Sequence, residues 1–298
     1  MSTLPQTAAP GMLQAGAQPA AGAAARRLLE EVEQAAARAE RRRRRRVAAS
    51  RLALVLVLLA GWELASGRLI DIFFVSRPSA IMEALWRLLM KENLLYHLQF
   101  TVLEAVLGYV AGAALGMAAG FVLARSDLLY ATVQPLLAAF YGIPRIALAP
   151  LIIMWFGIGL NSKVVVAALM VFFIVLMNTI AGVRNVHPEL IQIARVMGAS
   201  ERQILQKIVI PGAAPIIITG LQTAVPQAMI GAIVGEFISS NRGVGHVIGR
   251  AAGWFDTPGL FAGIVALLAV VLAMNGLVNL LEARAARWKG GAGLSQPS

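Results

Sequence analysis

The sequence contains no cysteine among its 298 residues, so disulfides and thiolate metal sites are excluded. Its three histidines, His97, His187 and His246, are scattered over different segments and lack the spacing of a metal site. No G-x-S-x-G element and no paired acids stand out, so enzyme chemistry finds no support. The phosphate-cradling pattern G-x-x-x-x-G-K-[ST] is absent too, and the chain therefore holds no ATP of its own. Charge is scarce: 14% of residues are Asp, Glu, Lys or Arg, against about 25% in soluble domains. Acidic residues are the scarcer sign, 15 against 26 basic, which leaves a net charge of +11.

What fills the chain instead is apolar. The mean hydropathy is +0.73, a composition that belongs to an all-α polytopic membrane protein. Residues 1–25 are Ala, Gln, Pro and Gly without apolar periodicity and read as disordered. Residues 26–46, RRLLEEVEQAAARAERRRRRR, have a composition compatible with a helix carrying charge on every face. Together residues 1–47 read as a charged cytoplasmic extension. The first apolar run begins too late for a signal peptide. The run Arg41 to Arg46 reads as a topology signal held inside by anionic lipid. A nucleic-acid arm would need interleaved aromatics or a reader domain, and no nucleic-acid partner is expected.

About six spans follow: 48–65, 98–124, 128–157, 163–183, 215–238 and 260–281. The third exceeds the roughly 20 residues a straight crossing needs and holds Pro135, Pro144 and Pro150, which predicts a broken or kinked helix, or two packed segments. With the Arg-rich end inside, six crossings place the turn at 125–127, the loop at 184–214 and the tail at 286–298 in the cytoplasm. These carry Arg125, Arg184, Arg195, Arg202, Lys207, Arg287 and Lys289, a positive-inside bias that predicts an N-in, C-in chain. Residues 48–97 then hold the first span and an outer segment. In that segment Ile81, Met82, Leu85, Leu88 and Leu89 fall at helical spacing and predict a helix at the outer membrane surface. Residues 98–285 form the core domain.

Gly108, Gly112, Gly116 and Gly120 are spaced four apart and predict a ridge that lets a neighbouring backbone approach closely. Glu104, Arg145, Asn178, Gln222, Gln227, Glu236 and Asn275 are polar groups within apolar spans, costly there unless paired or hydrated. Glu104, Arg145, Asn178 and Gln222 are the candidates for a solute pathway. Glu236 is close to a span end, where snorkelling is the ordinary reading. Arg145 lies between two prolines in YGIPRIALAP, and both a pathway and a structural role are open to it. Glu104 is a possible partner for Arg145, although nothing in the sequence fixes that pairing.

The polar passage QIARVMGASERQILQKIVIPGAAP, residues 192–215, interrupts this apolar chain. Pro188 suits the first turn of a helix and Glu189 its positive end. Leu190, Ala194 and Met197 share a face with Ile193 beside them, and Gly198 suits a helix stop. Ser200-Glu201-Arg202-Gln203 fits a capping box that opens a second helix. Pro211 and Pro215 are expected to end that helix and return the chain to the membrane. The expectation is helix, turn, helix on the cytoplasmic side.

These residues resemble the loop written E-A-A-x3-G-x9-I-x-L-P in ABC importer permeases. Ala194, Gly198, Ile208 and Pro211 fall in register, while Gln192 replaces the Glu, Ile193 the first Ala and Ile210 the Leu. IPRIALAPLIIMWFGIGLNSK and GEFISSNRGVGHVI, with the spacing from about Pro78 to Leu281, resemble the sulfonate, nitrate and taurine type of these permeases. Residues 1–47 have no counterpart. The resemblance implies the type I importer permease fold, an inner-membrane location and a homodimer. It implies two separate ATPase subunits that bind the ATP and Mg, a periplasmic solute-binding protein and no cofactor on this chain. It assigns coupling to the ATPase to Glu189, Gln192, Ala194, Arg195, Gly198, Ala199, Ser200, Ile208 and Pro211, with no catalytic or metal residue. The solute it implies is small, such as a sulfonate, nitrate or taurine. The alternative, a self-sufficient secondary transporter or channel, would need a complete solute site and commonly internal repeats, and no convincing repeat is present.

Overall fold

The computed structural model describes residues 18–288, and among them every regular element is helical apart from one isolated bridge between Ser66 and Ile70. The first helix, α1 (Gln18–Ala65), forms a unit by itself. It takes in residues 18–25, which correct the expectation of disorder there. Five of those eight residues are alanine, the best helix former. Its portion Ala39–Ala65 is a candidate membrane span, with the apolar residues following the arginine run. Glu40 and Arg44 form an exposed pair one turn apart at 2.6 Å.

The second unit begins at Ser66. Helix α2 (Pro78–Lys91) opens on a proline, whose missing N–H costs nothing in a first turn, and buries Ile81, Ala84 and Leu88. Helix α3 (Leu94–Ala124) follows without a break and is largely apolar. Helix α4 (Asp127–Gly142) is capped by Ser126, whose hydroxyl accepts from the Leu129 N–H. A 3₁₀ turn at Arg145–Leu148 and α5 (Ala149–Phe156) complete the third apolar stretch. The two halves bend by 83°, so this stretch is a broken element, with the break beside Pro144. Among the described residues, five helices are long and apolar enough to cross a membrane, and six if that bent pair is one span.

Helix α6 (Leu160–Arg184) lies between α3 and the long helix that follows the inner loop. The ridge of Gly108, Gly112, Gly116 and Gly120 explains one contact. A methyl at Gly116 would lie 2.7 Å from the Phe172 carbonyl, and one at Gly120 would lie 2.6 Å from Thr179 Cβ. On its other side α6 meets Gly220, Gly231 and Gly235. The core between these helices is built from small and β-branched side chains, among them Ala105, Val171, Val175, Ala224 and Ala228, so association here rests on close van der Waals contact.

Helix α7 (Pro188–Val196) and α8 (Glu201–Ile204) make the inner loop. A π turn at Leu205–Val209 then runs directly into α9 (Ile210–Ser239). The expectation that Pro211 and Pro215 end the second loop helix is corrected. Residues 201–239 form one helix of 39 residues, and both prolines lie within it. The physical reason is the π turn: the Ile210 N–H reaches back five residues to the Leu205 carbonyl, a wider turn that accommodates the proline ring after it. Within α9 the Thr219 hydroxyl donates back to the Pro215 carbonyl at 3.0 Å.

At the other end, α10 (Val244–Gly253) packs on α9, and α11 (Thr257–Trp288) packs on α10 and α2. Arg87 pairs with Asp256 at 2.7 Å, Arg250 pairs with Glu92, and the Thr257 hydroxyl donates to the Phe73 carbonyl at 2.6 Å. These ties bind segments 66–97 and 250–257 into one outer layer. The expected tail 286–298 is described only to Trp288, and its remainder, like residues 1–17, lies outside the described residues.

Candidate functional site

The inner loop is fixed at both corners. At the end of α7, the Gly198 N–H reaches the Arg195 carbonyl and the Ala199 N–H reaches the Ala194 carbonyl, both at 3.0 Å. This is the Schellman arrangement, and Gly198 supplies its left-handed residue at φ +81°. At the start of α8 the Ser200 hydroxyl accepts from the Gln203 N–H while the Gln203 side chain accepts from the Ser200 N–H. Arg195 spans the corner to Glu201 at 3.0 Å. At the preceding corner Arg184 pairs with Asp127 at 2.9 Å and lies over the Tyr130 ring.

None of the residues of α7 is buried. Ile191 and Arg195 line a cavity of about 260 Å³ together with Ile204 and Val209, so that side of the helix faces the protein. The other side presents Leu190, Ile193, Val196 and Met197, which are 50–89% exposed. Glu189 and Gln192 are exposed on the same helix, and Glu189 lies 3.9 Å from the His187 ring. Ile208 is half-buried within the π turn, and Pro211 is exposed just after it.

The four pathway candidates do not converge. Arg145 donates to the Met170 carbonyl at 3.5 Å and lies over the Phe173 ring. Asn178 donates to the Ile174 carbonyl at 2.8 Å and packs against Gly220. Gln222 is exposed on α9. Glu104 is 1% exposed, and its partner is Lys163 at 3.1 Å, which replaces the possible pairing with Arg145.

That Glu104–Lys163 pair anchors a polar cluster that the sequence reading missed. The Lys163 ammonium also donates to Ser240 Oγ at 2.6 Å, and Ser240 donates in turn to the Arg242 carbonyl. Glu236, 1% exposed rather than snorkelling, accepts from the Thr101 hydroxyl at 2.7 Å and from the Gly245 N–H at 2.6 Å. Thr101 accepts the Val244 N–H at 2.8 Å, and His97 Nδ1 accepts the Gly243 N–H at 3.1 Å. The first turn of α10 is thus capped by side chains of α3 and α9. The available signal was Lys163 itself, a charge at the start of an apolar run.

Residues 81–287 match the family described as binding-protein-dependent transport system inner membrane component. The riboflavin transport system permease protein RibX of Chloroflexus aurantiacus is 36% identical over 217 residues, 73% of this chain and 81% of that protein. The taurine transport system permease protein TauC of Escherichia coli is 28% identical over 242 residues, 80% and 88% of the two chains. A solved inward-facing structure of the MetNI methionine ABC transporter superposes with a TM-score of 0.57 at 21% identity, over 68% of this chain and 98% of that one, and shares its fold. The match over most of the chain and the helical fold establish that this protein belongs to the binding-protein-dependent transport system inner membrane component family and is the permease subunit of an ABC importer, not itself an enzyme.

Proposed function

We propose that two copies of this chain form the membrane core of the importer, and that each offers α7 to a separate ATPase subunit holding the ATP and Mg. A periplasmic binding protein delivers the solute to the outer layer formed by segments 66–97 and 250–257. The solute is a small polar molecule. RibX and TauC carry names as different as riboflavin and taurine, so the sulfonate or taurine class is one case within a wider range.

One observation carries this reading. A nine-residue helix is too short to stand alone in water, and α7 is held at both ends while Leu190, Ile193, Val196 and Met197 remain uncovered. An apolar face fixed in this way fits a cleft on a partner. Residues Glu189, Gln192, Arg195, Gly198, Ala199 and Ser200 belong to that surface or to its corners. Ala194 is half-buried within α7 itself, and Ile208 and Pro211 lie where the loop joins α9.

The test is co-purification with the cognate ATPase after Ile193→Asp and Met197→Asp. Both changes should abolish association while the melting temperature of the permease stays unchanged. Association that survives both changes, or uptake into liposomes without ATP, would overturn the reading. Mass measurement in lipid nanodiscs tests the pairing of two copies, and a single copy there refutes it.

A further inference from the structure

At the outer end of the molecule a cavity of about 630 Å³ opens between the starts of α3 and α6 and the segment 237–242. That volume falls within the range of small-molecule sites. Its wall carries Lys163, Arg242, Ser239 and Asn241, with the rings of Phe100 and Phe237. The Lys163 ammonium is 3% exposed and spends two of its three donors, on Glu104 and Ser240. Ser239 Oγ is buried and has no hydrogen-bond partner among the described residues. Arg242 lies over the Phe100 ring, 4.5 Å from its centroid. Its guanidinium makes no hydrogen bond or ion pair among the described residues, so its five N–H donors are not committed to a protein acceptor. The one carboxylate in the wall, Glu104, is neutralised by Lys163 through its Oε1, while its Oε2 is buried without a hydrogen-bond partner among the described residues.

The donors left over include two cations and a hydroxyl, and they meet beside two aromatic rings. We propose that the permease itself binds the solute here, and that the site takes a small organic oxyanion, a carboxylate or a sulfonate. Its oxygens accept from Lys163, Arg242 and Ser239, and its carbon skeleton lies against Phe100 and Phe237. The direction of passage through this site rests on the import reading above, whereas the binding does not.

The absence of cysteine allows a direct test. Asn241→Cys places one thiol at the exposed rim of the cavity. The purified chain in lipid nanodiscs, without ATPase or binding protein, is labelled with ethylsulfonate and ethyltrimethylammonium methanethiosulfonates, each rate being normalised to a free thiol. The anionic reagent should react at least about tenfold faster. Ethanesulfonate or propionate should protect the thiol saturably at constant ionic strength, where chloride does not. Arg242→Gln in the same background should weaken that protection about tenfold or more, and Ser239→Ala should weaken it measurably. Equal labelling rates, equal slowing by chloride, protection by neither organic anion, or protection indifferent to Arg242→Gln would each overturn the proposal. Because no ATPase is present, the site fails or survives independently of the docking of α7.

Discussion

Lys163 and Glu104 form an ion pair 3.1 Å long with side chains only 3% and 1% exposed. A charge buried this deeply is costly when its partner is removed, by about 3–5 kcal/mol, while replacing both partners is far milder. Lys163→Met alone leaves Glu104 buried without its cation and should lower the melting temperature sharply. Lys163→Met combined with Glu104→Gln should recover most of the loss. A double-mutant cycle read by thermal unfolding in detergent checks this, and additive losses would contradict it.

The glycine ridge makes a size-specific prediction. Gly112→Ala sets a methyl against the Ala168 carbonyl and Val171 and should destabilise the chain by about 1–3 kcal/mol. Gly276→Ala meets nothing within 4 Å in α11 and should be neutral or slightly stabilising. Thermal unfolding of the two variants side by side separates packing from helix propensity.

Gly198 differs from the ridge because open space surrounds it. A substituent there meets nothing within 4 Å, and the constraint is φ +81° alone. Gly198→Val should cost about 1–2 kcal/mol through the left-handed backbone, leave the spans folded and disturb the corner after α7. ATP hydrolysis should then proceed with little uptake, measured together in proteoliposomes. Gly198→Asn, which tolerates this conformation better, should retain more coupling.

Gly243 combines both constraints. Its φ is +100°, and a methyl there would overlap the Glu236 carboxylate. Gly243→Ala should be more damaging than Gly112→Ala, since it strains the backbone and displaces the acceptor of the Gly245 N–H together. Hydrogen exchange should show the first turn of α10 opening while α6 stays protected.

Much of this architecture was legible because it is local. Gly198, the Ser200–Gln203 box and Pro188 act within a few residues of themselves, and the four-residue spacing of the ridge is a helix period. Pro211 misled because a proline in isolation reads as a stop. Whether the helix bends, ends or widens depends on the preceding turn, which no local rule specifies. The polar cluster was hidden for a different reason. Glu104 and Lys163 are 59 positions apart, and Thr101 and Glu236 are 135 apart. Only the packing of α3, α6 and α9 brings them together, and a lysine at a span start ordinarily reaches for water.

The unbroken helix from Glu201 to Ser239 has a mechanical consequence. Thirty-nine residues at helical rise make a strut about 58 Å long. Its inner end leans on the corner where Arg195 meets Glu201, and Glu236 lies within its last turn. Moved as a rigid body, this strut carries one end through roughly 1 Å for each degree of tilt about the other. That is enough to spoil a hydrogen bond 2.6 Å long. The contacts of Glu236 with Thr101 and Gly245 thus register the angle of a lever whose handle lies on the opposite side of the membrane.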